Sequence, residues 1–120
     1  ETIQPYVLQT FQSKLAVPVG QLLLRSILCN FMVCLAAFAS MKINDGFTRT
    51  TIMFLMVMAF VFAGMEHCIA NIGTFTLALL YDFSFASLGQ VIIHMIICTL
   101  GNIVGGSLLF AIPLYLSNKK

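Results

Sequence analysis

The chain has 120 residues, of which 60% are hydrophobic and only 8% charged, with a formal net charge of +2. Soluble domains carry about 25% charged residues, so this chain cannot coat a water-facing surface of its size, and a bilayer is its natural solvent. There is also no basic nucleic-acid patch, no phosphate loop and no nucleophile–base pair, which argues against a nucleic-acid binder and against an enzyme.

Residues 1–19 read as an extracellular or periplasmic linker lying at the interface, with a short helix from Tyr6 to Lys14. No secretory signal pattern precedes the first span, and the polar opening Glu1-Thr2-Ile3-Gln4-Pro5 reads like a mid-protein segment. The first span is expected over 20–41. Lys42-Ile43-Asn44-Asp45-Gly46 then supplies turn chemistry. The second span is expected over 50–80 and the third over 89–116, with a short linker from Tyr81 to Ser84 between them. Residues 117–120 form a cytoplasmic tail. Between Thr50 and Asp82 the only full charge is Glu66, and between Gln90 and Asn118 there is none.

The second span is too long for one straight crossing. About 31 residues at 1.5 Å each make a helix of about 46 Å, against a hydrocarbon core of about 30 Å. Near its middle lies Ala63-Gly64-Met65-Glu66-His67-Cys68-Ile69-Ala70-Asn71-Ile72-Gly73-Thr74. One reading is a tilted helix with its polar side chains facing protein. The favoured one is two half-helices joined by an irregular stretch near 64–74. Such backbone is tolerated at mid-depth only where protein or a water-lined cavity covers it. A half-helix N-terminus there aims partial positive charge at an anion.

Lys42 and Arg49 in one loop and Lys119 and Lys120 in the tail fall on the same face, whereas the Tyr81–Leu88 loop has no Lys or Arg. The positive-inside rule then puts the C-terminus in the cytoplasm. Lys14 and Arg25 go against that bias; for Arg25, a functional role and simple snorkelling to lipid phosphate both fit. Asn30 in the first span, and Thr99 and Asn102 in the third, serve equally as interhelical glue or as pore lining. His94, near the outer end of its span, reads as facing the interface. Gly101 and Gly105, four apart, suit close helix packing. The four cysteines lack Cys-x-x-Cys spacing, so no metal site is expected, and all four read as small buried apolar residues.

Three segments together carry a family resemblance. Arg25-Ser26-Ile27-Leu28-Cys29-Asn30 with Val33-Cys34-Leu35-Ala36 resembles the fourth span of the formate/nitrite transporter family. Gly64-Met65-Glu66-His67-Cys68-Ile69-Ala70-Asn71 is similar to its broken fifth span. Thr99-Leu100-Gly101-Asn102-Ile103-Val104-Gly105-Gly106 resembles its sixth. The resemblance covers the chain from Lys14 onward. It implies an all-α membrane protein of aquaporin-like inverted-repeat fold, assembled as a homopentamer with one pore per subunit in the plasma (inner) membrane. This chain would then be the C-terminal three-span repeat, with the N-terminal half as its partner. The matching positions imply Lys14 at the outer vestibule, His67 at mid-pore, Phe60 at a hydrophobic constriction and Asn102 lining the pore. Glu66, Asn71 and Asn30 match supporting polar positions, and Thr99 is grouped with them. Met65 stands where the family often has an aromatic residue, and Cys68 where it often has Ser. The outer loop is short beside formate-channel members, which weakens a bet on formate alone.

The substrates so implied are formate, nitrite or hydrosulfide, each the conjugate base of a weak acid. A bare anion beside Phe60 faces a large desolvation penalty. Lys14 would concentrate the anion. His67, the nearby side chain whose unperturbed pKa lies near physiological pH, is expected to be neutral and to exchange a proton or donate a hydrogen bond. No cofactor is expected. Two alternatives stand beside this reading: a non-transporting assembly subunit, in which Glu66, His67 and Asn71 tolerate apolar replacement, and a redox subunit with haem held by His67 and His94, which an absorbance scan would reveal.

Overall fold

The computed structural model describes residues 3–81 and 87–119. The readings of the loop centred on 82–86, of Glu1 and Thr2, and of Lys120 fall outside the described residues. Every regular element among those described is helical.

Helix α1, Gln4–Leu15, opens with Pro5 in its first turn, where the missing amide is no loss. It buries Val7 and Phe11 against Phe75, Ala78 and Val91. The Phe11 and Phe75 rings meet edge to face at 5.3 Å. The segment expected to be a linker is thus a packed helix slightly longer than the Tyr6–Lys14 piece. Pro18 in extended conformation separates it from α2, Val19–Met41.

Helix α2 has 23 residues, about 35 Å at 1.5 Å each, and contains an 18-residue stretch with a mean hydropathy of 2.0. The other long helix runs from Leu88 to Ser117, 30 residues. It comprises α5 (Leu88–Ile103), a wider π-helical stretch (Val104–Ala111) and α6 (Ile112–Ser117). Both long helices exceed the roughly 30 Å hydrocarbon core. They pack on each other through Ser26, Cys29, Cys98 and Gly101, all buried. Gly105 lies against the Ile27 carbonyl so closely that a Cβ there would overlap it. Asn30 Nδ2 donates to the Asn102 carbonyl at 2.6 Å, tying α2 to the last turn of α5.

Between them run α3, Gly46–Phe62, and α4, Cys68–Tyr81. Asp45 caps α3 by accepting from the Thr48 amide at 2.7 Å. With 17 and 14 residues, the two span about 26 and 21 Å; neither crosses the core of about 30 Å alone, and laid end to end they exceed it. The irregular stretch expected near 64–74 is shorter than that. Helix resumes at Cys68, and Gly73 sits inside α4 with open space around it. A lone glycine weakens a helix by only about 1 kcal/mol, and the caps described below fix the restart at Cys68, ahead of Gly73.

Candidate functional site

Helix α3 stops because of Gly64. Its φ of +63° is left-handed, a conformation glycine adopts without the clash a Cβ brings. Gly64 N–H donates to Val61 O at 3.1 Å and Met65 N–H to Phe60 O at 3.1 Å. This is the Schellman pattern that satisfies the last carbonyls of a helix.

Helix α4 starts because two side chains accept from its first amides. Cys68 N–H donates to Asn102 Oδ1 at 2.9 Å, and Ile69 N–H to His67 Nδ1 at 3.3 Å. The Asn102 carboxamide also donates through Nδ2 to Ser26 O at 2.8 Å and to Glu66 O at 3.0 Å. One side chain from α5 thus holds α2, the interruption and the N-terminus of α4 together. Asn102 is buried, and these bonds tie its carboxamide to the backbone on both sides of the break.

Glu66 is the charged centre of the interruption and is 3% exposed. Lys14, reaching in from α1, donates to Oε1 at 3.0 Å and to Oε2 at 2.8 Å. Asn71 Nδ2 donates to Oε2 at 2.7 Å. His94 Nε2 stands 3.4 Å from Asn71 Nδ2 and 3.8 Å from Glu66 Oε2, and the His94 ring meets Phe75 edge to face at 5.1 Å. Cys98 Sγ donates to Glu66 O at 3.4 Å. Among the described residues, every fully buried side-chain nitrogen and oxygen has a partner.

His67 faces the other way. Its ring stacks on Phe60 with centroids 6.3 Å apart and planes at 29°. Because Nδ1 accepts from Ile69, a neutral ring carries its proton on Nε2, leaving that N–H available to an acceptor outside the cluster.

Lys14, Glu66, His67, Asn71, Asn102 and Phe60 therefore converge on one interruption, and Asn30 joins it through the Asn102 carbonyl. Thr99 does not: it is exposed on the outer face of α5 beside Ile96 and Leu100, because α5 turns its Val91, His94, Cys98 and Asn102 stripe inward. His94 corrects the interface-facing expectation, since that same stripe buries it against Glu66 and Asn71. Cys29 and Cys98 are buried, whereas Cys34 and Cys68 are only partly so. The Lys14–Glu66 pair escaped the sequence reading, although the lone acid of an apolar span demands a partner and Lys14 was one of few cations to offer.

Apolar helices, two of them long enough to cross a bilayer and two meeting end to end at a buried charged cluster, are those of a membrane protein. The chain belongs to the formate/nitrite transporter family, whose model matches residues 1–116. It is 30% identical over 118 residues to an uncharacterized transporter, YwcJ, of Bacillus subtilis, covering 98% of this chain and 46% of that protein. It is 33% identical over 110 residues to a formate-nitrite transporter of Entamoeba histolytica, covering 91% of this chain and 31% of that one. With the formate-nitrite transporter of Plasmodium malariae it shares 43% over 90 residues, covering 72% and 28%. The chain thus spans less than half the length of these relatives.

Proposed function

We propose that this chain is the C-terminal three-span repeat of an aquaporin-like, homopentameric channel or transporter for small monovalent weak-acid anions: formate, nitrite or hydrosulfide. The observation that carries the reading is the pairing of functions at one break. Glu66 is engaged by Lys14 and Asn71, whereas His67, beside the Phe60 ring, has no acceptor for Nε2–H among the described residues. A desolvated anion next to Phe60 gains one hydrogen bond there, and when the His67 ring has taken a second proton from water it can pass one proton to the anion and return to the neutral ring, so that the anion crosses as the neutral acid. Asn102, Asn71 and Asn30 hold the backbone in register for that contact. The N-terminal half of the polypeptide closes the pore, and the C-terminus lies in the cytoplasm of a plasma-membrane protein.

The test is flux of the three anions into liposomes holding the full-length protein, between about pH 5 and 8, with and without His67→Ala. Flux of at least one anion whose pH profile changes in the variant is expected. An unchanged rate and pH profile sinks the role of His67; no flux of any of the three sinks the substrate class.

A further inference from the structure

A cavity of about 240 Å³ opens between the C-terminal half of α1, the N-terminal half of α2 and the interruption, lined among others by Thr10, Ser13, Lys14, Arg25, Gly64 and Glu66. Its charges do not balance. Lys14 spends its charge on both oxygens of Glu66. Arg25 is partly buried and, among the described residues, donates to no carbonyl and pairs with no carboxylate; its Nη1 lies 3.9 Å from where a Cβ on Gly64 would stand. The two hydroxyls cannot supply donors, because Ser13 Oγ donates to Thr10 O at 2.7 Å and Thr10 Oγ1 to Tyr6 O at 2.9 Å. What remains is a guanidinium fork and the third proton of the Lys14 ammonium.

We propose that Arg25 forms an anion subsite in this cavity, ahead of His67, and that the subsite takes small planar anions presenting two oxygens, such as formate and nitrite, in preference to hydrosulfide. The inference rests on the anion-transport reading above and deepens it. A half-buried cation with no counter-ion raises the local concentration of any anion. The fork adds a geometric filter. A guanidinium donates two parallel N–H bonds to two coplanar oxygens, the strong charge-assisted arrangement. A single-atom anion centre must take both N–H bonds at one atom, which bends each of them away from the parallel, linear geometry. The Gly64 Cβ position is within ordinary van der Waals distance of Nη1, so the guanidinium lies directly beside the break. With the C-terminus in the cytoplasm, Arg25 lies on the outer side, against the usual distribution of cations, and capture of an incoming anion accounts for its retention there.

The test uses the full-length protein carrying Arg25→Gln or Arg25→Lys. Initial uptake into liposomes is read against formate, nitrite and hydrosulfide concentration, and binding of carbon-13 formate to the solubilised protein is read by line broadening. In Arg25→Gln the half-saturating concentrations of formate and nitrite should rise about tenfold, as for loss of a charge-assisted pair, with a rise of about twofold or less for hydrosulfide. Arg25→Lys keeps the charge without the fork and should fall between wild type and Arg25→Gln for formate. If Arg25→Gln fails to assemble, Arg25→Lys carries the test, and wild-type half-saturation in that variant overturns the proposal. Unchanged formate binding and half-saturation in Arg25→Gln also overturn it, as does an equal shift for hydrosulfide. Wild-type protein that binds formate through Arg25 yet conducts none keeps the subsite and refutes the transport reading; wild-type protein that conducts formate with no sensitivity to Arg25 does the reverse.

Discussion

Lys14 and Glu66 lie 52 residues apart in sequence, yet the Lys14 ammonium sits 3.0 and 2.8 Å from the two oxygens of Glu66. The Glu66 side chain is 4% exposed and that of Lys14 is 21%. The pair joins α1 to the interruption between α3 and α4, so the helix that precedes the first span becomes part of the site.

Removing one member of a buried pair strands the other charge. Lys14→Met leaves the Glu66 carboxylate with Asn71 and His94 as its remaining polar contacts, and should destabilise the full-length protein by on the order of 3 kcal/mol. The double variant Lys14→Met, Glu66→Gln should be more stable than Lys14→Met alone, because the uncompensated charge is gone. Thermal unfolding of the four proteins of this cycle measures the coupling directly; additive losses would show that the two groups do not interact.

Asn102 makes three side-chain bonds to backbone, to Cys68 N–H, Ser26 O and Glu66 O. Asn102→Leu keeps approximate volume but leaves those groups unpaired at about 1–3 kcal/mol each. Asn102→Asp restores the acceptor for Cys68 N–H, loses both donors and adds a buried charge, so it should not rescue. The melting temperature should fall sharply for both, and anion flux should fall with it. Retention of wild-type stability in Asn102→Leu would show that the α4 N-terminus is held by other means.

How much of this was legible before the structure differs from residue to residue. Gly64 announced the end of α3, because glycine in an apolar run of helix formers marks a backbone need. The irregular stretch expected near 64–74 ends at His67 instead, since a helix restart is set by whatever accepts its first amides. Here those acceptors are His67, one residue upstream, and Asn102, 34 residues downstream of Cys68. The first is readable as a local cap; the second requires knowing how α5 docks. His94 was misplaced, and the exposure of Thr99 could not be read, for a related reason. Both lie on α5, and its inward stripe is fixed by contact with α2 and α4, while an almost wholly apolar helix offers little polar periodicity from which to read it.

Asp45 gives a pH-dependent end to α3. Its side chain accepts from the Thr48 hydroxyl and from the Thr48 amide, which hold its carboxyl below the ordinary carboxylate value, the side-chain bond contributing most. A lowered folded-state pKa means that the cap's contribution is fully present above the ordinary value of about 3.9. It is lost as pH falls through the lowered one. Asp45→Asn keeps an acceptor for the amide and should flatten that acid-side loss without disturbing stability at neutral pH. Melting curves of both proteins from neutral to acid pH provide the check; parallel acid-side losses would place the sensitivity elsewhere.

Gly105 tests how far the contact between the two long helices depends on shape. A Cβ built on Gly105 overlaps the Ile27 carbonyl, and one on Gly101 would lie 2.6 Å from Ser26 Cβ and 3.0 Å from the Leu23 carbonyl. The blocking atoms include main chain of α2, so no side-chain rotation relieves the overlap and the helices must separate. Small residues matter at such a surface because lipid offers helices no hydrophobic drive to associate, leaving close packing to supply it. Gly105→Ala should therefore destabilise the protein by about 1–3 kcal/mol, the range for overpacked sites. The separation also pulls Asn102 away from Ser26 O and Cys68 N–H, so flux should drop further than the stability loss alone predicts. Ala in place of Gly73, which has open space around it, is the matched control and should be neutral or slightly stabilising. Equal behaviour of the two alanine variants would mean that the approach of α2 to the Val104–Ala111 stretch is not what positions the break.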